Sequence, residues 1–373
     1  MIFALLYRNW IPKKKNGKVK FTSSNINDNE FLKHFVLILG PQMKPDEACD
    51  IFGVDQAIHM DNLGAFIESQ INTNQKNFIF WYDYLNLSHI QTHRIAMRFV
   101  QGTDTTNHSV HSPCQSVQQL RLIKKTRERD IMKRTCQIGA ESITEAIRDT
   151  SQLTSEAQVF AKIEYEAKMR DADFLAYPPV VAAGNNANTI HYTINSRTKF
   201  KDRNDLILVD AGCDYGGYCS DITRTWPLSG KFSPNQRLIY DAVLDIQTQL
   251  ISILKEDAEN QTVDRLYRKM QTVLGEKLVD LGLVSDEVAK DETKLSVACQ
   301  EFCPHHVSHY LGMDVHDTKL IKRNISLQDG MVITMEPGIY IPLMPPPDSK
   351  YLSLVPNQFR GIGEFCPQED HTG

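Results

Sequence analysis

The chain has no long apolar run, no excess of basic charge and no second pair of cysteines to match the CxxxC of Cys299 and Cys303 at zinc-binding spacing. Its apolar runs stay well below the ~20 residues that span a bilayer, so the sequence predicts no membrane segment. The net charge of −5 and the pI of about 6.2 leave no overall basic field that would attract nucleic acid. The eight cysteines are scattered, and we interpret them as reduced thiols of an intracellular protein.

The first 21 residues also lack acidic side chains, which is compatible with a mitochondrial presequence. Their apolar part precedes their basic part, which is the reverse of the order in a secretory signal. An irregular or incorrectly assigned start of the chain explains the segment equally well. We therefore predict a mitochondrial location, with the cytoplasm as the alternative.

Residues 1–115 combine strand and helix patterns. The runs VLILG at 36–40 and NFIFWYDY at 77–84 are rich in β-branched and aromatic residues, which favours buried strands. Between them, residues 60–71 have the spacing of a short helix. With 373 residues the chain is long enough for two domains, and we predict that the first, mixed domain covers 1–115.

The segment 101–119 is polar and contains Gly, Pro, Ser and Asn, which is typical of a linker. His108 and His111 lie in this segment without a third ligand at a suitable spacing. We interpret both histidines as solvated residues of the linker.

The remainder of the chain alternates capped helices with short strands. The predicted helix starts and stops are Thr126, Ser155 with Gln158, Ser233 with Pro234 and Gln236, and Gly282 after a helix near 262–281. The strand patterns between these helices are LILV, YCSDITRTW and MVITMEPGIYI. Helices mixed with short antiparallel strands predict an α+β domain over 116–373.

Asp210 ends the apolar strand LILVD, and Asp221 follows 11 residues later in a strand of alternating type. Gly216 and Gly217 between them suit a tight reversal, which would place the two carboxylates side by side on antiparallel strands. Adjacent carboxylates repel each other, and divalent cations remove that cost. The alternative is a hairpin with surface aspartates, but the apolar residues before Asp210 favour a buried strand end.

Three histidines, His305, His309 and His316, fall within 12 residues of each other in PHHVSHYLGMDVHD. A lone histidine is usually structural, whereas three at this density, with a glycine for close approach, indicate a functional site. We predict that His309 is a metal ligand. His305 and His316 would be neutral donors or acceptors around the peptide group of a substrate.

Glu336 ends the apolar pattern of MVITMEPGIYI, directly before Pro337 and Gly338. This position is atypical of a solvated charge, and Thr334 shares its strand face. Glu336 can bridge metals or take the proton from a nucleophilic water. Two carboxylates, then a histidine, then a third carboxylate suit a pair of hard divalent metals that activate water.

Four strings of the sequence resemble the metal-dependent pita-bread peptidases, and within them the Xaa-Pro aminopeptidase (aminopeptidase P) family, especially its mitochondrial type. They are FLAYPPVVAAGNNANTIHY, DAGCDYGGYCSDITRTWP, CPHHVSHYLGMDVHD and GMVITMEPGIYIP. The likeness is clear over 120–363 and extends weakly to FGVDQA and WYDYLNLSHIQTH. It implies an α+β pita-bread catalytic domain over 116–373, incomplete at its C-terminus, and a shortened creatinase-like α/β domain over 1–115.

The resemblance implies that Asp210, Asp221, His309 and Glu336 are metal ligands for two manganese ions. The implied reaction removes the N-terminal residue from peptides that have proline in second position. A metal-bridging hydroxide would attack the carbonyl carbon, with Glu336 near the nucleophilic water. The implied partners are such peptides, with no nucleic acid and no membrane, and a second copy of the chain is a candidate partner.

On the substrate side, His191 in TIHY resembles a histidine of the family, as do His305 and His316. The resemblance implies that these three histidines take part in catalysis together with Glu336, and that His191 and His316 also bind the substrate. Tyr177 in AYPPVV matches a tyrosine at the substrate pocket of the family.

The end of the chain departs from the family pattern. The family continues after FRGIG with a V-R-I-E-D-D-like strand whose glutamate bridges both metals, whereas this chain reads FRGIGEFCPQEDHTG. Phe365 and Pro367 stand at the positions of that arginine and glutamate, and Glu364 and Glu369 lie nearby but out of register. A splice variant or an imperfect gene model would explain this end and the unfamiliar residues 1–35.

Two other functions fit the same sequence. The first is a catalytically impaired form of the fold that acts as a peptide-binding or interaction protein, because the last bridging glutamate is not in register. The second is a prolidase or a methionine aminopeptidase of the same fold, although the strings AYPPVV and PHHVSHYLGMDVHD favour aminopeptidase P.

Overall fold

The computed structural model describes residues 20–23, 45–52, 56–73, 78–83, 93–94, 97 and 108–365. The chain forms two compact units, Met1–Val117 and Gln118–Gly373. The boundary between the units falls two residues after the predicted domain boundary at 115. The strand predicted at 36–40 lies outside the described residues.

The first unit combines helices with pairs of parallel strands. Its elements are β1 (Lys20–Ser23), α1 (Pro45–Phe52), β2 (Gln56–His59), α2 (Leu63–Thr73), β3 (Phe78–Trp81) and β4 (His108–His111). Strand β1 pairs in parallel with β2, and β3 pairs in parallel with β4. Parallel strands need a crossover connection between them, which gives this unit its α/β character.

Two predictions for the first unit are confirmed, and one is wrong. The helix pattern at 60–71 forms α2 after a 3₁₀ turn at Met60–Asn62, and the strand pattern at 77–84 contains β3. The polar segment 101–119 is not a plain linker in its described part, because β4 and the helix after it lie there. Pairing with β3 satisfies the backbone of these polar residues, and the ring of His111 lies 5.3 Å from that of Trp81.

Most of the described helices belong to the second unit. They are α3 (Cys114–Leu122), which begins just before the unit boundary, α4 (Thr126–Arg148), α5 (Glu156–Met169), α6 (Pro234–Asp257), α7 (Val263–Asp280), α8 (Asp286–Ala289) and α9 (Glu292–Phe302). Apolar residues at helical spacing lie on the inner face of α6, where Ile239, Val243, Ile246 and Leu250 are buried. They join α7 and α9 in the largest apolar core.

The strands of the second unit are mostly antiparallel. They are β5 (Phe174–Leu175), β6 (Val180–Ala183), β7 (Leu206–Ala211), β8 (Cys213–Tyr215), β9 (Tyr218–Cys219), β10 (Ile222–Pro227), β11 (Gly338–Ile341) and β12 (Ile362–Phe365). The hydrogen-bonded orders are β10–β7–β6, β5–β8–β9 and β11–β12. A second apolar core packs α4 and α5 against β7, where Ile207 and Val209 are fully buried.

Helix capping follows the sequence closely, with one shift. Ser233 and Gln236 form the predicted capping box of α6, and Gly282 follows α7 with a φ of 67°. Helix α4 is capped at Lys125, one residue before the predicted cap Thr126. The carboxylate of Glu128 reaches back to the backbone N–H of Lys125 at 2.8 Å, which moves the helix start by one residue.

The turn between the two predicted aspartate strands has two left-handed residues. Gly216 and Gly217 adopt φ values of 60° and 80° and join β8 to β9 in a two-residue hairpin. The strand predicted over 218–226 is interrupted between β9 and β10, so it is only partly confirmed. At Gly212 a Cβ would lie 1.9 Å from the carbonyl oxygen of Ser220, so the chain passes too close for any larger residue.

Within the described ranges, no helix has both the length and the apolar character needed to cross a bilayer. The seven cysteines in the described part of the chain are all free thiols.

Candidate active site

Asp210 lies near the end of β7, directly across from Thr223 in the antiparallel pair of β7 and β10. The side chain of Thr223 also forms a hydrogen bond with the carboxyl group of Asp210. Asp221 precedes Thr223 by two residues, and the strand period of two puts these residues on one side. Both aspartates therefore lie on the same side of this strand pair, as the hairpin prediction requires.

The hydroxyl of Tyr177 joins the two aspartates. It lies 2.5 Å from Oδ1 of Asp210 and 2.9 Å from Oδ1 of Asp221. Burial and the two carboxylates raise the pKa of Tyr177 well above its usual value of 10.0, so the hydroxyl keeps its hydrogen.

His309 and Glu336 meet through an irregular antiparallel pairing of residues 307–311 with 332–336. The backbone N–H of Thr334 donates to the carbonyl oxygen of His309 at 3.0 Å, and that of Glu336 donates to Val307 at 2.9 Å. The predicted strand MVITMEPGIYI is regular only in β11, so that prediction is confirmed only in part. The pairing nevertheless holds His309 and Glu336 side by side.

The imidazole of His309 has a fixed orientation. Its Nδ1 donates to the carbonyl oxygen of Tyr310 at 3.1 Å, which turns Nε2 towards Oδ2 of Asp221 and Oε1 of Glu336, each at 3.1 Å. Burial alone lowers the pKa of His309, but the hydrogen bonds to the two carboxylates outweigh it and raise that pKa to about 10. Without a metal ligand role, this raised pKa would favour the protonated imidazole.

Asp210 is the second strongly perturbed group of the cluster. Burial raises its pKa to about 7, the negative charge of Asp221 adds to the effect, and the hydrogen bond from Tyr177 opposes it. Three carboxylates, Asp210, Asp221 and Glu336, thus share a confined space with one imidazole. The excess of negative charge favours a cation at this position.

The four side chains fit a metal in chemistry but stand paired with each other. Among the described residues, no group of three or more His, Cys, Asp or Glu side chains could hold a metal ion as placed. Most of the oxygen and nitrogen atoms that would bind a metal take part in the hydrogen bonds given above. Three carboxylates and an imidazole nitrogen are nevertheless ligands that hard divalent cations accept. The Nδ1 contact of His309 to a carbonyl is also the support that metal-binding histidines usually have.

A cavity of about 400 Å³ opens beside this cluster. The predicted site residues that line it are Asp210, His191, His305, His309, His316 and Glu336. Asp221 and Tyr177 do not line the cavity. The hydroxyl of Tyr177 contacts Asp221, which in turn contacts Nε2 of His309. The structure thus brings all eight predicted side chains to one region. Six of them line the cavity, and Tyr177 and Asp221 lie outside its lining.

Two of the substrate-side histidines are held by aromatic or histidine neighbours. His305 donates from Nδ1 to the carbonyl oxygen of His306 at 3.0 Å, and its Nε2 lies 3.0 Å from the Tyr340 hydroxyl. Burial lowers the pKa of His305, but Cys303 and the carbonyl of His306 raise it to about 9, which does not favour the neutral form that the sequence predicts. The ring of His316 is exposed and lies edge-on to that of His309, 4.5 Å between centroids. Burial and the neighbouring His309 lower the pKa of His316, which favours its neutral form.

Sequence reasoning missed two residues of this region. Thr334 donates its hydroxyl to Oε1 of Glu336 at 2.6 Å and accepts the backbone N–H of His309 at 3.0 Å. Tyr340 holds His305, as described above. The available signal for Thr334 was its strand face shared with Glu336, whereas nothing in the sequence pairs Tyr340 with His305.

A buried ion pair supports the segment that carries His316. Asp317 contacts Lys124 at 3.0 Å, and their side chains are 0% and 1% exposed. Asp317 also pairs with Arg121, which reaches the exposed Asp314 at 2.6 Å. This cluster ties the cavity wall to the segment between α3 and α4.

Replacing Asp317 with Ala should lower the free energy of unfolding of this unit by about 3 kcal/mol, because a buried lysine is left without its partner. Denaturant unfolding monitored by circular dichroism measures the change. The matched control is Asp314→Ala, whose side chain is 59% exposed, and we expect a change below about 1 kcal/mol. Equal effects of the two substitutions would contradict the assignment of the buried pair.

Comparison with known protein families gives one extended match. The family described as metallopeptidase family M24 matches residues 130–363. This span contains the whole cluster, the three cavity histidines and Tyr177.

Individual proteins are similar over most of this chain. Xaa-Pro aminopeptidase 3 of Homo sapiens is 38% identical over 326 residues, which cover 87% of this chain and 61% of that protein. Intermediate cleaving peptidase 55, mitochondrial, of Arabidopsis thaliana is 32% identical over 322 residues, covering 85% and 59%. The chain thus spans about three fifths of the length of these curated relatives.

A solved structure of aminopeptidase P from Escherichia coli superposes with a TM-score of 0.78 and 27% sequence identity. The superposition covers 93% of this chain and 74% of that chain. Together with the family match, it confirms the pita-bread fold with its α+β catalytic domain that the sequence predicts.

Proposed function

Because the chain belongs to metallopeptidase family M24, we propose that it is a metallo-aminopeptidase that removes the N-terminal residue from peptides with proline in second position. The observation that carries this proposal is the meeting of Asp210, Asp221, His309 and Glu336 at the edge of a histidine-lined cavity. The similarity to proteins named Xaa-Pro aminopeptidase supports the choice of peptide.

In this proposal Asp210, Asp221, His309 and Glu336 hold two divalent metals, for which we propose manganese. When bound, these metals supply a Lewis acid for the scissile carbonyl and lower the pKa of a water molecule. The Nε2 atom of His309 must give up its proton to become a ligand, so metal binding releases a proton near neutral pH. Nδ1 remains bonded to the carbonyl of Tyr310 and keeps the ring oriented.

The cavity histidines act on the peptide. His305 donates from Nδ1 to a backbone carbonyl, and its Nε2 faces Tyr340 in the cavity wall. His316 is exposed on the cavity and favours its neutral form, so it can donate to or accept from the peptide group that is cleaved. His191 lines the same cavity and contributes a further polar contact to the substrate.

The proposal is tested by incubating the manganese-loaded chain with three classes of peptide. Xaa-Pro-Yaa tripeptides should be cleaved after their first residue, and Xaa-Pro dipeptides and Met-Ala peptides should be cleaved slowly or not at all. Preferential cleavage of the dipeptides would instead identify a prolidase, and release of methionine would identify a methionine aminopeptidase. A chelator should abolish the activity in each case.

Replacing His316 with Ala should lower kcat by about 100-fold while the bound manganese stays at the wild-type amount. His316 lines the cavity and is not one of the proposed metal ligands. Its loss therefore removes a proton donor or acceptor but no metal ligand. Steady-state kinetics with metal analysis of the same sample measures both quantities. A parallel loss of metal and rate would show that His316 is a ligand.

A second candidate function is a peptide-binding protein with weak or no catalysis. The observation that favours it is the sequence after Gly363, where Phe365 and Pro367 occupy the positions of the family arginine and bridging glutamate. This candidate predicts that Xaa-Pro peptides bind without turnover, which calorimetry and product analysis on the same sample distinguish from the first.

For the location of the protein we propose the mitochondrion, with the cytoplasm as the alternative. The support is the similarity to a relative named as mitochondrial, together with the acid-free first 21 residues. Imaging of the full chain with a C-terminal fluorescent tag tests this proposal.

A further inference from the structure

Glu156 is a buried carboxylate outside the cavity. It is the first residue of α5, and only 3% of it is exposed. The ion pairs of the described residues give it no cationic partner, so its charge is stabilised by other groups. A buried carboxylate normally persists only where hydrogen-bond donors surround it.

Those donors all come from one loop. Oε1 accepts the backbone N–H of Ala183 at 2.9 Å and the side-chain amide of Asn186 at 2.8 Å. Oε2 accepts the hydroxyl of Tyr192 at 2.9 Å and the backbone N–H of Ser196 at 2.7 Å. The single carboxylate thus holds both ends and two interior points of residues 183–196, which we name the histidine loop.

The histidine loop carries His191, which lines the cavity and adopts a left-handed φ of 58°. Left-handed backbone is uncommon for residues other than glycine, although histidine and asparagine adopt it more readily than most, so contacts that fix the loop help to keep it. Tyr192, the next residue, is one of the groups that Glu156 fixes. Burial, with Glu156 second, raises the pKa of Tyr192 to about 12, so its hydroxyl remains a donor.

From this geometry we infer that Glu156 is a positioning residue, which sets the placement of His191 in the cavity wall by holding the histidine loop. The inference rests on the proposed function for the role of His191 towards the peptide. It adds a residue, remote from the cavity, on which that role depends.

The substitution Glu156→Gln tests the inference with little change of shape. It replaces one carboxylate oxygen, which accepts hydrogen bonds, by an NH2 group, which can only donate them. At Oε2 the new amide would face the N–H of Ser196, which is itself a donor, and one side of the loop would be released. Glu166→Gln is the matched control, because Glu166 lies on the same helix but pairs with Lys162 and Arg170 away from the histidine loop.

The first measurement is amide hydrogen exchange of the manganese-treated chain. We expect Glu156→Gln to speed exchange in 184–196 by at least 10-fold, and Glu166→Gln to leave that segment unchanged. Unchanged exchange in the Glu156→Gln variant would overturn the inference. This readout needs no activity, so it separates failure of the positioning role from failure of the proposed function.

The second measurement is a double-mutant cycle with His191→Asn, because asparagine tolerates the left-handed backbone. We expect Glu156→Gln to lower kcat/KM by about 10-fold in the wild-type background and by less than 2-fold in the His191→Asn background. Equal losses in both backgrounds would mean that Glu156 acts through general stability, and would overturn the inference. If the chain cleaves no peptide, affinity for a Pro-Yaa dipeptide replaces kcat/KM in the same cycle.

Tyr192→Phe gives an independent variant should Glu156→Gln fold poorly. It removes one of the four donors and leaves the carboxylate with three. The effect should have the same direction, a smaller size and the same dependence on His191. If the effect of Tyr192→Phe were fully additive with that of His191→Asn, this result would contradict the inference.

Discussion

The His309→Ala variant is expected to lose both its bound manganese and its peptidase activity. His309 is the only nitrogen donor proposed for the metal cluster, and its Nε2 contacts Asp221 and Glu336 at 3.1 Å each. Without it, the remaining proposed ligands are carboxylates with no fixed imidazole between them. Metal analysis after gel filtration and kinetics on Xaa-Pro-Yaa peptides measure the two losses.

The loss of rate should be about 1000-fold or more. Metals contribute several kcal/mol through polarisation of the carbonyl and activation of water, and about 1.4 kcal/mol corresponds to a factor of ten. Asp221→Asn should give a loss in the same direction, because it keeps the size of the side chain and removes its charge. Two chemically different substitutions thus test the same set of proposed metal ligands.

Asp241→Asn is the control for the charge change. Asp241 lies on the exposed side of α6, where it pairs with Arg237, and its side chain is 49% exposed. We expect wild-type manganese content and rate for this variant. Unchanged metal content in both His309→Ala and Asp221→Asn would show that these residues are not ligands, even if the rates fell.

The helices were predictable because their signals are local. Ser233, Pro234 and Gln236 lie within four residues and define the start of α6, and Gly282 defines the end of α7 in the same way. The aspartate pair was also predictable, since Gly216 and Gly217 form the reversal that the sequence indicates. Such contacts involve residues that are close in the chain, where spacing and conformational preference determine the outcome.

The remaining features depend on contacts between distant residues, which spacing does not encode. The sequence predicts one strand over MVITMEPGIYI, but residues 332–336 instead pair irregularly with 307–311 and only β11 is regular. The same limit applies to Tyr177, whose hydroxyl joins aspartates 33 and 44 residues later. It applies also to Glu156, whose partners lie 27 to 40 residues away.

The Pro367→Glu variant is expected to bind manganese at least about 10-fold more tightly than the natural chain. The resemblance to the family implies that position 367 is that of its bridging glutamate, which this chain replaces by proline. Pro367 itself lies outside the described residues.

A glutamate at position 367 would add a fourth carboxylate to the proposed ligand set of Asp210, Asp221, His309 and Glu336. Hard divalent cations accept such oxygen-rich ligand sets. The added ligand should also raise kcat/KM for Xaa-Pro-Yaa peptides, because a metal pair with more complete ligation polarises the carbonyl at a fixed position. Manganese titration by calorimetry and steady-state kinetics measure the two gains.

Pro367→Gln separates the added charge from the removal of proline. Both substitutions supply a backbone N–H at position 367, but only glutamate supplies a charged ligand. Glu364→Gln tests whether the natural chain uses a substitute, since Glu364 is three residues from position 367 and an odd offset reverses the strand face. We expect no change in metal affinity for Glu364→Gln. Full activity of the natural chain, with no gain in Pro367→Glu, would show that the four proposed ligands suffice without a second bridging glutamate.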